Sequence, residues 1–348
     1  MNKIRTAATN PFIATAASLV VLMVVAIYSG FSGIIDLSPG QVLAHLTGTE
    51  TLSDREQAVF FNIRLPRIVT AMVVGATLAL SGAAYQAVFR NPLADPYLLG
   101  VSAGAGLGVT LVIVGGVSLG LTAGGFGIIG AAFIGGITAV AATVLVSRGV
   151  GFGSSATVVI LAGVAVAAFA SSIQTYIQQR NIDTVSRIYV WMLGSLNVSR
   201  WESVVSVAIP AALCAVLILS SARLLDVMTV GDIEARTLGI DPTVVRMSLV
   251  AVATLGTASV VAISGLIGFV GIIVPHAIRL LCGPGHRLLL PLTLVWGAIF
   301  LVTADTIGRT ILAPQELPVG VVTAAVGSPF FLFILRRSSR PRREGRTA

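Results

Sequence analysis

Uncharged apolar runs recur along the chain at about residues 12 to 33, 68 to 89, 97 to 115, 126 to 147, 156 to 179, 203 to 222, 288 to 304 and 317 to 335. A membrane-spanning helix needs about 20 apolar residues, so each run predicts one span. The stretch from 247 to 278 has no Asp, Glu, Lys or Arg over 32 residues. As one helix it would be about 48 Å long, well beyond a hydrocarbon core of about 30 Å. Ser264-Gly265 in its middle predicts a break, and reading the stretch as a helical hairpin brings the count to ten.

Composition agrees with that pattern. Of 348 residues, 55% are hydrophobic and only 10% charged, with mean hydropathy +0.96. A soluble domain carries about 25% charged residues to solvate its surface. The spans fill the chain, so the expectation is one transmembrane domain over 1–348, an all-α integral membrane protein with no large soluble part. The amino terminus, with Lys3 and Arg5 before an apolar run from Phe12, resembles a signal peptide, but that run is too long and further spans follow. It reads as the first membrane helix.

The net charge of +8 would suggest nucleic acid in a soluble protein. Here its placement argues for a bilayer instead. Arg336, Arg337, Arg340, Arg342, Arg343 and Arg346 follow the last apolar run directly, where positive-inside bias expects a cytoplasmic tail over 336–348. Ten spans put both termini on that side, together with Arg90, Arg148, Arg223, Arg236, Arg246, Arg279 and Arg287. Arg55, Arg64, Arg67, Arg180, Arg187, Arg200 and Arg309 fall outside.

The chain lacks the parts of an enzyme. A Walker A loop needs a lysine after its glycines, and the single lysine is Lys3. His45, His276 and His286 are scattered, Cys214 and Cys282 have no CxxC spacing, and no metal or cofactor set is expected on this chain. Gly100, Gly104 and Gly108 form a GxxxGxxxG stripe that lets helices approach closely.

Polar residues within the runs mark candidate sites. Ser171, Gln174 and Gln178, at i, i+3 and i+7 late in the fifth span, are expected on one face, either bordering a pathway or gathered where a helix leaves the membrane. Asp305 and Arg309, at i and i+4, form a candidate ion pair near the outer end of the ninth span. In the polar loop of about 223–246, Asp232 is placed to cap a short helix, Gly239 to close it, and Pro242 follows.

Arg64-Leu65-Pro66-Arg67, Ser81-Gly82 and the run from Asn91-Pro92-Leu93-Ala94-Asp95-Pro96 to Gly106 resemble the FecCD family of ABC importer permeases. Gly231-Asp232-Ile233-Glu234-Ala235-Arg236-Thr237-Leu238-Gly239, Gly268-Phe269-Val270-Gly271 with Val274-Pro275-His276, and Glu316-Leu317-Pro318-Val319-Gly320 are similar to family motifs in the same order. The resemblance covers nearly everything from about residue 60 onward.

It implies a ten-helix subunit of the vitamin B12 and siderophore importer type in the bacterial inner membrane. That subunit pairs as a homo- or heterodimer, with two ATPase subunits that use ATP and Mg below and an extracytoplasmic substrate-binding protein above. The cargo implied is a ferric siderophore, haem or a corrinoid. By the same resemblance Asp232, Ile233, Glu234, Ala235, Arg236, Leu238 and Gly239 belong to the ATPase-coupling helix, Ala156 and Thr157 to the cytoplasmic gate, and Arg64, Arg67 and Arg309 to the docking surface for the binding protein. The alternative class is an ion- or proton-coupled secondary transporter, for which Asp305 is the residue to test.

Overall fold

The computed structural model describes residues 11–33, 35, 37–49, 52–118, 125–149, 156–197 and 200–338; Lys3, Arg5 and the tail arginines from Arg340 onward lie outside them. Ten helices carry the fold: α1 (Pro11–Phe31), α2 (Leu65–Val88), α3 (Val101–Ser118), α4 (Gly125–Gly149), α5 (Ala156–Arg180), α6 (Trp201–Ser220), α7 (Pro242–Ser264), α8 (Val270–Cys282), α9 (His286–Thr310) and α10 (Val319–Ser338). Seven are long and apolar enough to cross a membrane; α3, α8 and α10 are apolar but shorter. Among the described residues there is no strand.

The break at Ser264-Gly265 is where the pattern put it. Helix α7 ends at Ser264, Gly265 takes a left-handed φ of 67°, and helix resumes only after Phe269, itself at φ 70°. Backbone outside a helix is tolerated at membrane depth only when protein or trapped water satisfies it. Here protein does so: Ser195 N donates to the Ser264 carbonyl at 2.8 Å, and the Tyr97 hydroxyl donates to the Ile267 carbonyl at 3.1 Å. The two helices do not fold back on each other as a hairpin. Each packs against α2 instead.

Side-by-side contacts fix the direction of every helix. Phe61 receives a hydrogen bond from Trp201, and Ser81 meets Cys214, so α2 and α6 run the same way. Tyr85 meets Thr254 while Thr77 lies beside Gly256, so α7 opposes α2. Arg67 reaches Asp305 and Gly75 abuts Gly297, so α9 opposes α2 as well; α1 accompanies α9 through Ser18 with Trp296 and Ser29 with Thr306. Leu98 and Gly106 meet Gly163 and Gln174, making α3 and α5 parallel, while Gly104 and Gly108 meet Gly135 and Ala131, making α4 antiparallel to α3. Helix α8 follows α2 through Gly82 with Gly271 and Gln86 with Arg279, and α10 follows α8 through Phe269 with Gly327 and His276 with Phe330. Helix α4 opposes α7, since Gly136 lies beside Ala258 while Arg148 shares a groove with Met247 and Ser248. The ten helices therefore alternate in direction, and the start of α1 and the end of α10 share one end of the bundle.

Helix α2 is the axle, buried along almost its whole length. Small residues allow this. A Cβ on Gly75 would overlap the Gly297 carbonyl, and one on Gly82 the Gly271 carbonyl. Polar side chains then tie α2 to its neighbours: Ser81 Oγ donates to the Ala253 carbonyl at 3.2 Å, and Gln86 Nε2 to the Gly271 carbonyl at 3.1 Å while its Oε1 accepts from Arg279 at 2.9 Å. In the glycine stripe, Gly104 and Gly108 do lie against backbone of α4. Gly100 ends the turn Pro96–Leu99 at φ 86°, and a Cβ there would meet the Gly163 carbonyl of α5 at 3.6 Å and the Ala139 side chain of α4 at 3.7 Å.

Candidate functional site

One end of the bundle, the Asp232 end, carries the short helix Asp232–Thr237 between the helix Ala222–Val230 and α7. Its boundaries follow from local chemistry. Gly239 at φ 76° reverses the chain, with Gly239 N donating to the Arg236 carbonyl and Ile240 N to the Ala235 carbonyl, each at 3.0 Å. Asp241 then caps α7, accepting from Thr243 N at 2.8 Å, and Pro242 opens that helix. Asp232 is not the cap that the sequence suggested. Gly231 takes the cap position without a side chain, and the Asp232 carboxylate goes to Arg90 and to Arg246, the latter at 3.1 Å through both oxygens.

That ion pairing pins the short helix to the loop after α2 and to the first turns of α7. Ala235 faces inward and is fully buried, while Glu234 and Arg236 face solvent. Ile233 and Leu238 stand out at 77% and 66% exposure. Two large apolar side chains on a polar, rigidly held helix form a surface suited to a protein partner.

The opposite end, the Asp305 end, holds a buried charge cluster. Arg67 Nε lies 3.0 Å from both Asp305 oxygens, its Nη2 reaches Oδ1 at 2.8 Å, and its Nη1 donates to Glu316 at 3.0 Å and to Asn197. Arg309 approaches Asp305 Oδ2 at 3.1 Å and donates to the Ser29 hydroxyl at 2.7 Å. Arg64 donates to the carbonyls of Gly30 at 3.0 Å and Ile35 at 2.6 Å. The cluster joins α1, α2, α9, the loop at 195–197 and the approach to α10.

The three arginines that the resemblance assigns to a docking surface are not free charges within this chain. Arg64, Arg67 and Arg309 are 5%, 7% and 6% exposed, and all three engage partners within the chain. The expected Asp305–Arg309 pair is present, but it is half of an arrangement centred on Arg67. Nor does Asp305 suit a proton relay, since both of its oxygens are engaged by guanidinium groups and it is 2% exposed.

Helix α5 presents a third surface. It packs on α3, on α4 and on the turn at Pro96–Leu99. Its opposite side stays open, with Leu161, Val164, Phe169 and Tyr176 exposed beside Ser171, Ser172, Thr175 and Gln179. The predicted shared face of Ser171, Gln174 and Gln178 divides: Ser171 is exposed and Gln178 half-buried, whereas Gln174 turns inward to Met192 and Gly106. At the other end of the helix Thr157 is exposed; the side chain of Ala156 lies outside the described residues.

Sequence reasoning missed Asn197 and Glu316 as partners of Arg67, Arg90 and Arg246 as partners of Asp232, and Asp95. Asp95 is buried at the turn between α2 and α3, where it accepts from Tyr97 N at 2.8 Å and burial pushes its pKa up to about 6. Grouping Arg90 with Arg246 on one side and Arg67 with Arg309 on the other was the signal available for the ion pairs, and it said nothing of Asn197 or Asp95.

Ten helices alternating in direction, seven of them long and apolar enough to cross a membrane, define a polytopic membrane protein. The chain belongs to the FecCD transport family, which it matches over residues 20–337. It is 38% identical over 330 residues to the hemin transport system permease protein HmuU of Yersinia pestis, covering 93% of this chain and 95% of that one. It is 40% identical to the cobalamin import system permease protein BtuC of Halobacterium salinarum, covering 80% and 74% of the two chains. To the uncharacterized ABC transporter permease protein YvrB of Bacillus subtilis it is also 40% identical, covering 81% and 80%. A solved structure of an inward-facing metal-chelate type ABC transporter superposes with TM-score 0.83 at 31% identity, over 94% of this chain and all of that one. The chain is an ABC importer permease, a transport subunit of the family whose relatives serve vitamin B12, haem, iron chelates and molybdate.

Proposed function

We propose that this permease moves a metal chelate, with a ferric siderophore as first choice and haem or a corrinoid as the other members of the class, from a binding protein into the cytoplasm by alternating access. The observation that carries the reading is the short helix Asp232–Thr237, held by Arg90 and Arg246 with Ile233 and Leu238 exposed. A permease without its own nucleotide site needs a rigid element through which a separate ATPase can push, and this helix has the anchoring and the apolar surface for it. The names of relatives at 35–40% identity support the cargo class.

In this reading the Asp232 end is cytoplasmic, the open face of α5 meets a second permease subunit along the pathway, and two ATPase subunits supply ATP hydrolysis with Mg. Docking of the binding protein at Arg64, Arg67 and Arg309 takes a narrower form than three free charges. A partner carboxylate must displace Glu316 or Asp305 to reach Arg67. The test is uptake by proteoliposomes holding permease, ATPase and binding protein. ATP-dependent accumulation of the chelate is expected; accumulation driven by an ion gradient through the permease alone would overturn the proposal. Growth of a deletion strain on single iron or corrinoid sources then identifies the cargo.

A further inference from the structure

Helices α4 and α7 approach at Gly136, where an added Cβ would meet Ala258 at 3.6 Å. From there toward the Asp232 end the two helices line a groove of about 640 Å³. Its walls are aliphatic, including Ile137, Val144 and Leu145 from α4 and Val250 and Leu255 from α7. At the end near Asp232 the groove carries Arg148, in the last turn of α4, and Ser248, near the start of α7, while the deeper Thr254 is already hydrogen-bonded to the Tyr85 hydroxyl at 2.7 Å.

The dimensions suit one leaflet of a bilayer. From the contact at Ala258 to the mouth at Met247 the wall is eleven residues of helix, about 16 Å, which is close to half of a hydrocarbon core of about 30 Å. The groove therefore starts at one membrane surface and closes near the midplane. Arg148 is exposed and has no acidic partner among the described residues. Nearby Arg246, by contrast, is committed to Asp232. A single cation at the surface end of an apolar slot favours a negatively charged headgroup.

We propose that this groove is a binding site for an acidic phospholipid of the leaflet at the Asp232 end, with an acyl chain between α4 and α7 and the phosphate at Arg148. A neutral zwitterionic lipid has the same chain but adds a cation beside Arg148, so the site discriminates by headgroup. The lipid also bridges α7, whose first turns hold Asp232 through Arg246, to α4.

The full chain, purified in detergent, is titrated separately with phosphatidylglycerol and phosphatidylcholine of identical chains, and with glycerol phosphate as the headgroup alone. Bound lipid is counted by native mass spectrometry. Phosphatidylglycerol is expected to be retained in preference, glycerol phosphate not at all, and Arg148→Ala should lower phosphatidylglycerol retention about fivefold, the effect of one basic residue near an anionic surface. Arg148→Lys should retain most of the preference. Ala251→Trp, which fills the groove, should reduce both lipids; if that variant fails to fold, the Arg148 series stands alone. Equal retention of the two lipids by the unaltered chain, or undiminished phosphatidylglycerol on Arg148→Ala, would overturn the proposal whatever the transported cargo proves to be.

Discussion

Removing the carboxylate of Asp305 would take from two almost completely buried guanidinium groups their shared buried counter-charge, leaving the partly exposed Glu316 as the only carboxylate paired with either among the described residues. Breaking a buried ion pair from one side costs about 3–5 kcal/mol. Asp305→Asn is therefore expected to lower the unfolding temperature of the purified protein severely, while Glu316→Gln, whose side chain is 30% exposed, should cost about 1 kcal/mol or less. The two substitutions also separate stability from docking. If a binding protein competes for Arg67, Glu316→Gln should tighten its binding to the assembled transporter, and equal or weaker binding would remove Arg67 from the interface. Asp95 gives a pH signature at the same scale. Its folded pKa of about 6 lies above the ordinary carboxyl value of 3.8, so the native state takes up its proton first and gains stability as pH falls through 6. Between about pH 7.5 and about pH 5 the gain is about 1 kcal/mol. Asp95→Asn keeps an acceptor for Tyr97 N but should flatten that dependence, measured as unfolding temperature against pH.

At the scale of elements, the close approach of α2 to α8 is intolerant of volume. Gly82→Val is expected to prevent assembly of the helical core, read as loss of monodisperse protein in gel filtration, because the obstacle is the Gly271 backbone and not a side chain that could turn aside. On the short helix Asp232–Thr237, the proposed ATPase contact, Ile233→Asp with Leu238→Asp should leave the fold intact and abolish co-purification of the ATPase, since both side chains are exposed. On α5, single cysteines at 171 and 178 should react with a membrane-impermeant thiol reagent and one at 174 should not. These elements show how far the pattern carries. Apolar runs of about 20 residues announced the helices, and Ser264-Gly265 announced the break, because each is a local property of consecutive residues. The burial of Arg67 was not legible, since its partner Asp305 lies 238 positions away and nothing local distinguishes an interfacial arginine from a paired one. Gln174 failed for a subtler reason: it is about 60° around the helix from Ser171, enough to turn from the open side to the α3 contact.

For the whole molecule, alternation of ten helices places the short helix Asp232–Thr237, the start of α1 and the end of α10 together, and the Asp305 cluster at the far end. That arrangement agrees with the charge asymmetry of the sequence, which assigned Arg90, Arg246 and Arg279 to one side and Arg64, Arg67 and Arg309 to the other. The shortness of α8 has a consequence for biosynthesis. Thirteen residues make a rod of about 20 Å, too short to be accepted by the membrane-insertion machinery as a span in its own right. Only Gly283, Pro284 and Gly285 separate it from α9, which runs the opposite way. During synthesis α8 must therefore wait at the insertion site until α9 emerges, and the pair enters the bilayer as one unit. Its non-helical leader at 265–269 meanwhile depends on Tyr97 and Ser195, which are already in place because they were translated earlier.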